Sequence, residues 1–243
     1  MKEFLKNIDR SLSKALLSHP LGFYPEILGF KGRLKSRLKN NKKINILLDT
    51  GELPVGNVLN SEDCNLLSEF FSSCPPFKHV VNRNDSFSYR LNLDKYEFAH
   101  NNPLQYNKIN EKLETLFDTK IILDEINMFR NFYCDDDRVI SSDWHFDRRS
   151  KDLYRFFIYL SDVKNTDFGP FHYLNFKTSK KLGKTFHRES SAINEVNVKN
   201  EINIFLGNKG TGAIIDTQKL LHRAGRVKKG NYRDMIELVF KLN

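Results

Sequence analysis

Four residues in the second half of the sequence have the types and the order of a metal site with an anion-binding arginine. His145 and Asp147 are separated by one residue, and His222 follows later in the chain. Two imidazoles and one carboxylate in this order can hold a non-haem Fe(II) ion and leave coordination positions open for a co-substrate and O₂. Arg233 comes eleven residues after His222. Its planar guanidinium group can bind a carboxylate through two hydrogen bonds, which suits a dicarboxylate co-substrate.

The elements around these residues must bring them to one place, and the sequence pattern predicts β-strands for that task. Side chains two residues apart share a face only in an extended segment, so His145 and Asp147 require strand-like backbone. Residues 152–163 are rich in aromatic and β-branched types and lead towards a Gly-Pro turn, which predicts a strand shortly after the pair. Two more strands are predicted at 212–216 and 235–242.

Length and composition predict one large domain in a reducing compartment. A chain of 243 residues of which 40% are hydrophobic can bury a sizeable core. Its three cysteines, Cys64, Cys74 and Cys134, are odd in number and match no zinc or redox spacing, which disfavours a disulfide framework. The first 18 residues carry charges throughout, and no segment approaches the roughly 20 apolar residues of a membrane span. We therefore expect a cytoplasmic protein with no transmembrane segment.

Three helices are predicted in the first half of the chain. Apolar residues recur at helical spacing within 4–16, and similar helices are predicted at 62–71 and 104–117. Ser61 is a candidate N-cap for the second of them. Further along, the polar segment 177–200 contains few large apolar residues, which predicts a loop or a mobile lid. A lid would shield a reactive centre from water.

The net charge of +9 is concentrated in one short run. Seven lysines and arginines fall within residues 31–43, where there is no acidic residue. Such a run can bind phosphates or other polyanions, although a solvated basic face is the more common role. No aromatic residue interleaves the run, so specific nucleic acid binding is not expected. The positive charge favours an anionic substrate, such as a phosphorylated, carboxylated or carrier-bound molecule.

The residues that could do chemistry belong to a longer pattern that resembles a known family. The pattern consists of Trp144-His145-Phe146-Asp147, residues 155–163, Gly169-Pro170-Phe171, Asp216-Thr217, His222-Arg223-Ala224-Gly225 and Arg233. Over residues 121–242 it is similar to the phytanoyl-CoA dioxygenase-like Fe(II)/2-oxoglutarate oxygenases. The resemblance implies a mainly β fold with flanking α-helices, a double-stranded β-helix of the jelly-roll or cupin type. It also implies one oxygenase domain over 1–243, with mostly outer helices and loops in 1–120 and the catalytic core in 121–243.

Carried over by position, the resemblance implies a role for each of the four residues. His145, Asp147 and His222 would be the Fe(II) ligands, and Arg233 would bind the C5 carboxylate of 2-oxoglutarate. With O₂ as the second co-substrate, the reaction would release succinate and CO₂ and oxidise a small-molecule or carrier-linked substrate. Asp147 stands where related halogenases carry a small residue, which favours hydroxylation. The chain departs from the family pattern at 175–180 and at Ala224, where some members have a hydroxyl residue that helps to hold 2-oxoglutarate.

Four more side chains are candidates for the pocket. Asn127 and Asn131 lie on a strand predicted at 121–133 and could contact 2-oxoglutarate, although both could equally cap loops or face solvent. Tyr159 and Arg223 could contact the substrate, but core packing with a satisfied hydroxyl is the more common role for a tyrosine such as Tyr159.

Two other interpretations of the same residues stay open. The two histidines and one carboxylate could hold Zn²⁺ or Mn²⁺ for non-redox chemistry, which would need no dicarboxylate anchor. The chain could also be a non-catalytic β-sandwich that binds a polyanion through 31–43.

Overall fold

The computed structural model describes residues 41–74, 88–133, 143–147, 153–183 and 195–242, and these ranges contain nine strands and six helices. The strands are β1 (Glu52–Asn57), β2 (Ser88–Leu93), β3 (Ile121–Phe132), β4 (Tyr154–Tyr159), β5 (Phe171–Leu174), β6 (Ile202–Phe205), β7 (Thr211–Ile215), β8 (His222–Ala224) and β9 (Tyr232–Leu242). The helices are α1 (Lys42–Thr50), α2 (Ser61–Ser73), α3 (Lys95–Asn101), α4 (Pro103–Phe117), α5 (Phe176–Gly183) and α6 (Glu195–Val198), and a 3₁₀ turn follows at Lys199–Glu201.

The strands form two antiparallel sheets. The large sheet has the order β1-β7-β4-β9-β3-β2, and the small sheet has the order β6-β5-β8. An isolated bridge between His145 and His222 adds one more extended segment beside β8. After β3 the chain passes from the large sheet (β4) to the small sheet (β5 and β6), back to the large sheet (β7), again to the small sheet (β8) and finally to the large sheet (β9), in the manner of a double-stranded β-helix. The predicted jelly-roll fold with flanking helices is confirmed.

Side chains alternate between the two faces of the large sheet, because neighbouring residues of a strand point to opposite sides. One face packs on the helices, where Phe156 and Leu238 join Leu113 of α4 in the larger apolar core. The other face packs on the small sheet, where Phe157 and Met235 belong to the same cluster as Phe171 of β5. The site described below lies on this second, inner face.

The predicted helices are found close to their expected positions, with one change at a cap. Helix α2 covers the predicted 62–71, but its N-cap is Asn60 and not Ser61. The Asn60 side chain accepts a hydrogen bond of 2.8 Å from the Asp63 backbone, and the Asp63 side chain accepts in return from Asn60. This capping box satisfies two backbone donors that a cap at Ser61 would leave without a partner.

Two segments differ from the sequence-based expectation. Residues before 121 provide more than outer helices and loops, because β1 and β2 are the two edge strands of the large sheet. The segment 177–200 is helical at its start: α5 follows Asn175, whose side chain accepts a hydrogen bond of 2.9 Å from the Thr178 backbone. The polar composition had predicted a loop there, but Asn175 caps the first turn and so favours a helix.

Some of the predicted features lie outside the described residues. These are the helix at 4–16, most of the basic run 31–43, Cys134, and the centre of the polar segment 177–200. Within the described ranges, no helix is long and apolar enough to cross a membrane.

Candidate metal centre

Three side chains that could ligate one metal ion converge between the two sheets. One potential ligand atom from each of His145, Asp147 and His222 lies within 4.8 Å of the others. The backbones of the two histidines pair directly, with N–H to carbonyl distances of 2.9 and 3.0 Å, and this brings their ring centroids to 4.3 Å. The structure therefore places together the three residues that the sequence singled out as a ligand set.

The hydrogen bonds of the two imidazoles select which ring nitrogen can face a metal. His145 Nδ1 lies 2.7 Å from the backbone oxygen of Asp143, and His222 Nδ1 lies 3.0 Å from that of Leu220. A carbonyl oxygen can only accept, so both Nδ1 atoms carry the hydrogen. The lone pair in each ring is then on Nε2, which is the arrangement of most metal-bound histidines.

The Asp147 carboxylate is held from two directions. Its backbone N–H donates to the Thr217 carbonyl at 3.1 Å, and the Thr217 side chain hydrogen-bonds the carboxylate. On the other side, Arg155 Nε donates to Asp147 Oδ2 at 2.8 Å. The same oxygen lies 3.8 Å from His222 Nε2. The carboxylate is thus oriented towards the histidines before any metal binds.

The protonation states of these groups suit a cation. Burial raises the pKa of Asp147, but the electrostatic effects of the neighbouring His222 and Arg155 outweigh it and lower this pKa to about 2. Burial lowers the pKa of His222 to about 3, against the opposing effect of Asp147. At neutral pH the site therefore contains an ionised carboxylate beside a neutral His222 imidazole, which are the forms that bind metals.

Arg233 lies on the inner face of β9 and is almost completely buried, with 1% of its surface exposed. It donates one hydrogen bond to the Gly169 carbonyl and another, of 2.9 Å, to Asn131 Oδ1. Its Nε atom has no hydrogen-bond partner within the described part of the chain. Burial lowers the pKa of Arg233, opposed by nearby Tyr159, but a guanidinium group stays protonated in proteins. A buried positive charge without a counter-ion among the described residues fits an anionic ligand.

The two asparagines proposed as 2-oxoglutarate contacts have different surroundings. Asn131 is directly opposite Arg233 across β3 and β9 and bonds its guanidinium. Asn127 is completely buried in a separate set of contacts: its amide donates to Glu237 at 2.9 Å, and its oxygen accepts from Arg90 and Asn92. The structure brings Asn131 to the arginine, and it brings Asn127 to Glu237.

The two residues proposed as substrate contacts also have defined partners. The Tyr159 hydroxyl donates to the Phe205 carbonyl at 2.7 Å and accepts from the Phe171 backbone at 3.2 Å, so it joins the two sheets. Arg223 stacks at 4.8 Å over Trp144 and donates to His172 at 3.2 Å. Arg223 follows His222 on β8 and therefore points to the opposite side of the strand from that ligand.

Sequence reasoning missed Glu237 and gave Arg155 only as the first residue of the pattern 155–163. Arg155 is 13% exposed and Glu237 is 3% exposed, and the two form an ion pair on the inner face of the large sheet. A signal was available, because each is a charged residue inside a strand that otherwise consists mainly of apolar and aromatic types. Charged side chains are rarely buried without a partner, so they can be recognised as a candidate pair.

The residues present fit a divalent metal and a dicarboxylate. Two imidazole nitrogens and one carboxylate oxygen form the donor set of non-haem Fe(II) sites, and Zn²⁺ and Mn²⁺ also accept these donors. The buried Arg233 with its unpartnered Nε fits the carboxylate of a co-substrate. The described residues thus place a set of donors that could hold a metal and a buried guanidinium that could hold an anion on the inner face of one fold.

Comparisons with known proteins agree on the fold. No protein-family model and no curated protein sequence matches the chain. HygX from Streptomyces hygroscopicus, solved with nickel and 2-oxoglutarate bound, is 14% identical with a TM-score of 0.55, over 83% of this chain and 87% of HygX. The non-haem alpha-ketoglutarate-dependent epimerase SnoN from nogalamycin biosynthesis is 11% identical with a TM-score of 0.57, over 85% and 81%. The carbocyclase SnoK from the same biosynthesis is 11% identical with a TM-score of 0.57, over 82% and 83%. The chain therefore has the fold of non-haem, 2-oxoglutarate-dependent enzymes.

Proposed function

We propose that this chain is an Fe(II)- and 2-oxoglutarate-dependent dioxygenase of the phytanoyl-CoA dioxygenase-like type. It hydroxylates a small or carrier-linked metabolite and releases succinate and CO₂. The observation that carries the proposal is the combination of two sites on one inner face. His145, Asp147 and His222 converge within 4.8 Å, and Arg233 is buried with an unpartnered nitrogen. The bound states of HygX, with iron in one structure and with nickel and 2-oxoglutarate in another, support the same pairing of metal and co-substrate.

Each of these residues has a task that its geometry supports. His145 and His222 offer Nε2 to the metal because their Nδ1 atoms donate to backbone carbonyls. Arg233 holds the distal carboxylate of 2-oxoglutarate and so fixes the direction in which the co-substrate lies. Iron and 2-oxoglutarate, when bound, supply the oxidative chemistry with O₂. The protein contributes orientation and an apolar surround, in which Phe171 stacks at 5.3 Å on the His222 ring.

The type of oxidation is proposed from Asp147. A retained carboxylate ligand leaves no position for a halide, so hydroxylation is preferred to halogenation. SnoN is an epimerase and SnoK a carbocyclase, and both share this fold. Mass spectrometry of the substrate product distinguishes the outcomes, because hydroxylation adds one oxygen atom and epimerisation leaves the mass unchanged.

The test is anaerobic reconstitution with Fe(II) and 2-oxoglutarate. We expect the weak visible charge-transfer absorption of the chelate, and then succinate when O₂ is admitted. Well-folded protein that gives neither signal would contradict the proposal. The alternative in which the same residues hold Zn²⁺ or Mn²⁺ for non-redox chemistry predicts metal binding without O₂ consumption. The alternative of polyanion binding through 31–43 predicts no metal uptake, and loss of binding when that run is neutralised.

The substrate class and the cellular location are also proposals. The net charge of +9 supports an anionic or carrier-linked substrate, and a panel of such compounds can be screened for stimulated succinate release. Cys64 and Cys74 are free thiols, which supports a reducing, cytoplasmic location. Alkylation of thiols during denaturing lysis, followed by mass measurement, tests it, because unfolding makes buried Cys64 accessible and disulfide-bonded cysteines of an oxidised protein would still resist labelling.

A further inference from the structure

A row of buried polar side chains crosses the large sheet and ends at the Asp147 carboxylate. Arg155 of β4 donates through Nε to Asp147 and through Nη1 to Glu237 of β9. The second oxygen of Glu237 accepts a hydrogen bond of 2.9 Å from Asn127 of β3. The contacts of Glu237 with Arg155 and with Asn127 each span neighbouring strands, since β4 pairs with β9 and β9 pairs with β3. The arginine is therefore shared between two carboxylates, one in the candidate metal site and one in the sheet.

We propose that Glu237 is a positioning residue for the metal centre and acts through Arg155. Arg155 shares its hydrogen bonds and its positive charge between Glu237 and Asp147. The arginine therefore orients the Asp147 carboxylate without cancelling the negative charge that a metal ion needs. This inference rests on the proposed function only in that His145, Asp147 and His222 bind a divalent metal. Glu237 is not part of the ligand pattern, and we assign it a role in metal binding.

The charges of the three side chains support this role. Asp147 and Arg155 alone sum to zero, so a divalent cation would have to compete with a guanidinium group for the carboxylate. With Glu237 the three sum to −1, and a negative charge remains for the cation. The groups are only 23%, 13% and 3% exposed for Asp147, Arg155 and Glu237, so water screens their charges weakly. Removal of the Glu237 charge weakens metal binding directly. It also lets Arg155 pair more tightly with Asp147, which weakens metal binding further.

The geometry supports an orienting role in addition to the charge. Asn127 is completely buried, and its oxygen accepts from Asn92 at 2.7 Å and from Arg90 at 3.0 Å. These bonds fix the asparagine, and the asparagine fixes the Glu237 carboxylate. Groups that contact a metal ligand directly, as Arg155 contacts Asp147, typically change metal affinity 10- to 100-fold when they are mutated, and Glu237 acts through this contact.

The experiment measures Co(II) binding to the full chain under anaerobic conditions, by calorimetry and by the visible bands of the bound ion. Glu237→Gln keeps the size of the side chain but removes its charge and one of its two acceptor atoms, as Asp234→Asn does at the control position. We expect it to weaken Co(II) binding about 10- to 100-fold and to change the Co(II) bands, because the Asp147 carboxylate is withdrawn towards Arg155. An affinity and a spectrum equal to those of the unmodified protein would overturn the inference.

Asp234→Asn is the matched control. Asp234 is on the same strand, is equally buried and also pairs with an arginine, Arg130, at 2.7 Å. It lies on the opposite face of the sheet, so its pair has no contact with the metal ligands. Both variants should lose thermal stability, but Asp234→Asn should change the Co(II) affinity by less than about 2-fold, the scatter of independent sites. Equal weakening by both variants would indicate a general structural effect and overturn the inference.

A double substitution tests whether Glu237 acts through Arg155. In an Arg155→Met background the connection is removed, so Glu237→Gln should then cost less than about 2-fold in Co(II) affinity. The same loss in both backgrounds would contradict a role through the arginine. Failure of the proposed function gives a different result: the unmodified protein would bind Co(II) with these dependences but form no succinate with Fe(II), 2-oxoglutarate and O₂. An unmodified protein that binds no Co(II) would overturn both.

Discussion

Replacement of Arg233 by methionine tests the assignment of the co-substrate anchor most directly. The guanidinium is 1% exposed, so a carboxylate bound to it would be removed from water together with it. Truncation of one partner of such a buried charge pair costs about 3 kcal/mol, within a usual range of about 2–5 kcal/mol. About 3 kcal/mol is roughly a hundredfold in the dissociation constant. An exposed pair would cost no more than about 1 kcal/mol.

The assay is an anaerobic titration of the Fe(II) protein with 2-oxoglutarate, together with thermal unfolding at a fixed concentration. At a concentration of 100 times the original dissociation constant, 2-oxoglutarate should stabilise the unmodified protein by about 2.7 kcal/mol. The same concentration should stabilise Arg233→Met by only about 0.4 kcal/mol if affinity falls a hundredfold. Fe(II) binding should be unchanged, because Arg233 belongs to the anion site and does not contact the three ligands in the described contacts.

Arg130→Met is the matched control for this prediction. Arg130 lies on β3 and pairs with Asp234 of β9, one rung along the ladder from Asn131 and Arg233. It faces the helix side of the sheet, so its loss should leave the affinity for 2-oxoglutarate unchanged. Arg233→Met with an unchanged dissociation constant for 2-oxoglutarate would refute the anchor. Loss of Fe(II) together with 2-oxoglutarate would show that Arg233 supports the metal site instead.

Three further predictions concern pH, a turn and a tyrosine. The pKa of His222 is about 3 in the folded chain and that of Asp147 about 2, both below their unfolded values, so the unfolded state binds more protons. In urea unfolding of the metal-free protein, the free energy of unfolding should decrease as the pH falls below 6.5, the ordinary pKa of a histidine. His222→Gln should reduce this pH dependence. Gly169→Ala should lower the free energy of unfolding by about 1–3 kcal/mol and weaken 2-oxoglutarate binding, because φ at Gly169 is +63° and a Cβ there would lie 2.6 Å from a backbone oxygen. Gly230→Ala is the control: φ is +87°, but a Cβ there would meet no atom, so 2-oxoglutarate binding should be unchanged. Tyr159→Phe should lower the free energy of unfolding by about 1–3 kcal/mol, because two hydrogen bonds are lost, and should leave kcat/KM for the substrate unchanged. A raised KM would instead show that Tyr159 contacts the substrate.

The ligand positions could be predicted because their chemistry is local in the sequence. His145 and Asp147 are two residues apart, and this spacing by itself puts both side chains on one face of an extended segment. The strands that carry the rest of the site also have local signals, since β4, β7 and β9 are rich in β-branched and aromatic residues. Convergence with His222 needed the order of the strands, which the family resemblance supplied.

Features that depend on register between distant strands could not be predicted. Glu237 meets Asn127 because β3 and β9 pair with those two residues directly opposite each other. A register shift of one residue would turn Glu237 towards the helices. Nothing near Glu237 in the sequence specifies that register, which follows from the packing of the whole sheet. The same holds for β1, a short edge strand that contains Pro54 and Gly56 and carries turn signals rather than strand signals.

The inner face of the large sheet is better explained by ligand binding than by stability. Arg233 and Glu237 are buried, and the Arg155 side chain is only 13% exposed, on strands whose other inward residues, such as Phe157 and Met235, are apolar. Buried ion pairs often stabilise a fold no better than apolar side chains of the same size, because desolvation offsets their attraction. Arg233 does not even have a carboxylate partner within the described residues. A charge whose counter-ion is missing from the fold destabilises the unliganded protein, and an anionic ligand would remove that cost. In the proposed function, part of the binding energy of 2-oxoglutarate would thus be prepared in the folded chain at the expense of its unliganded stability.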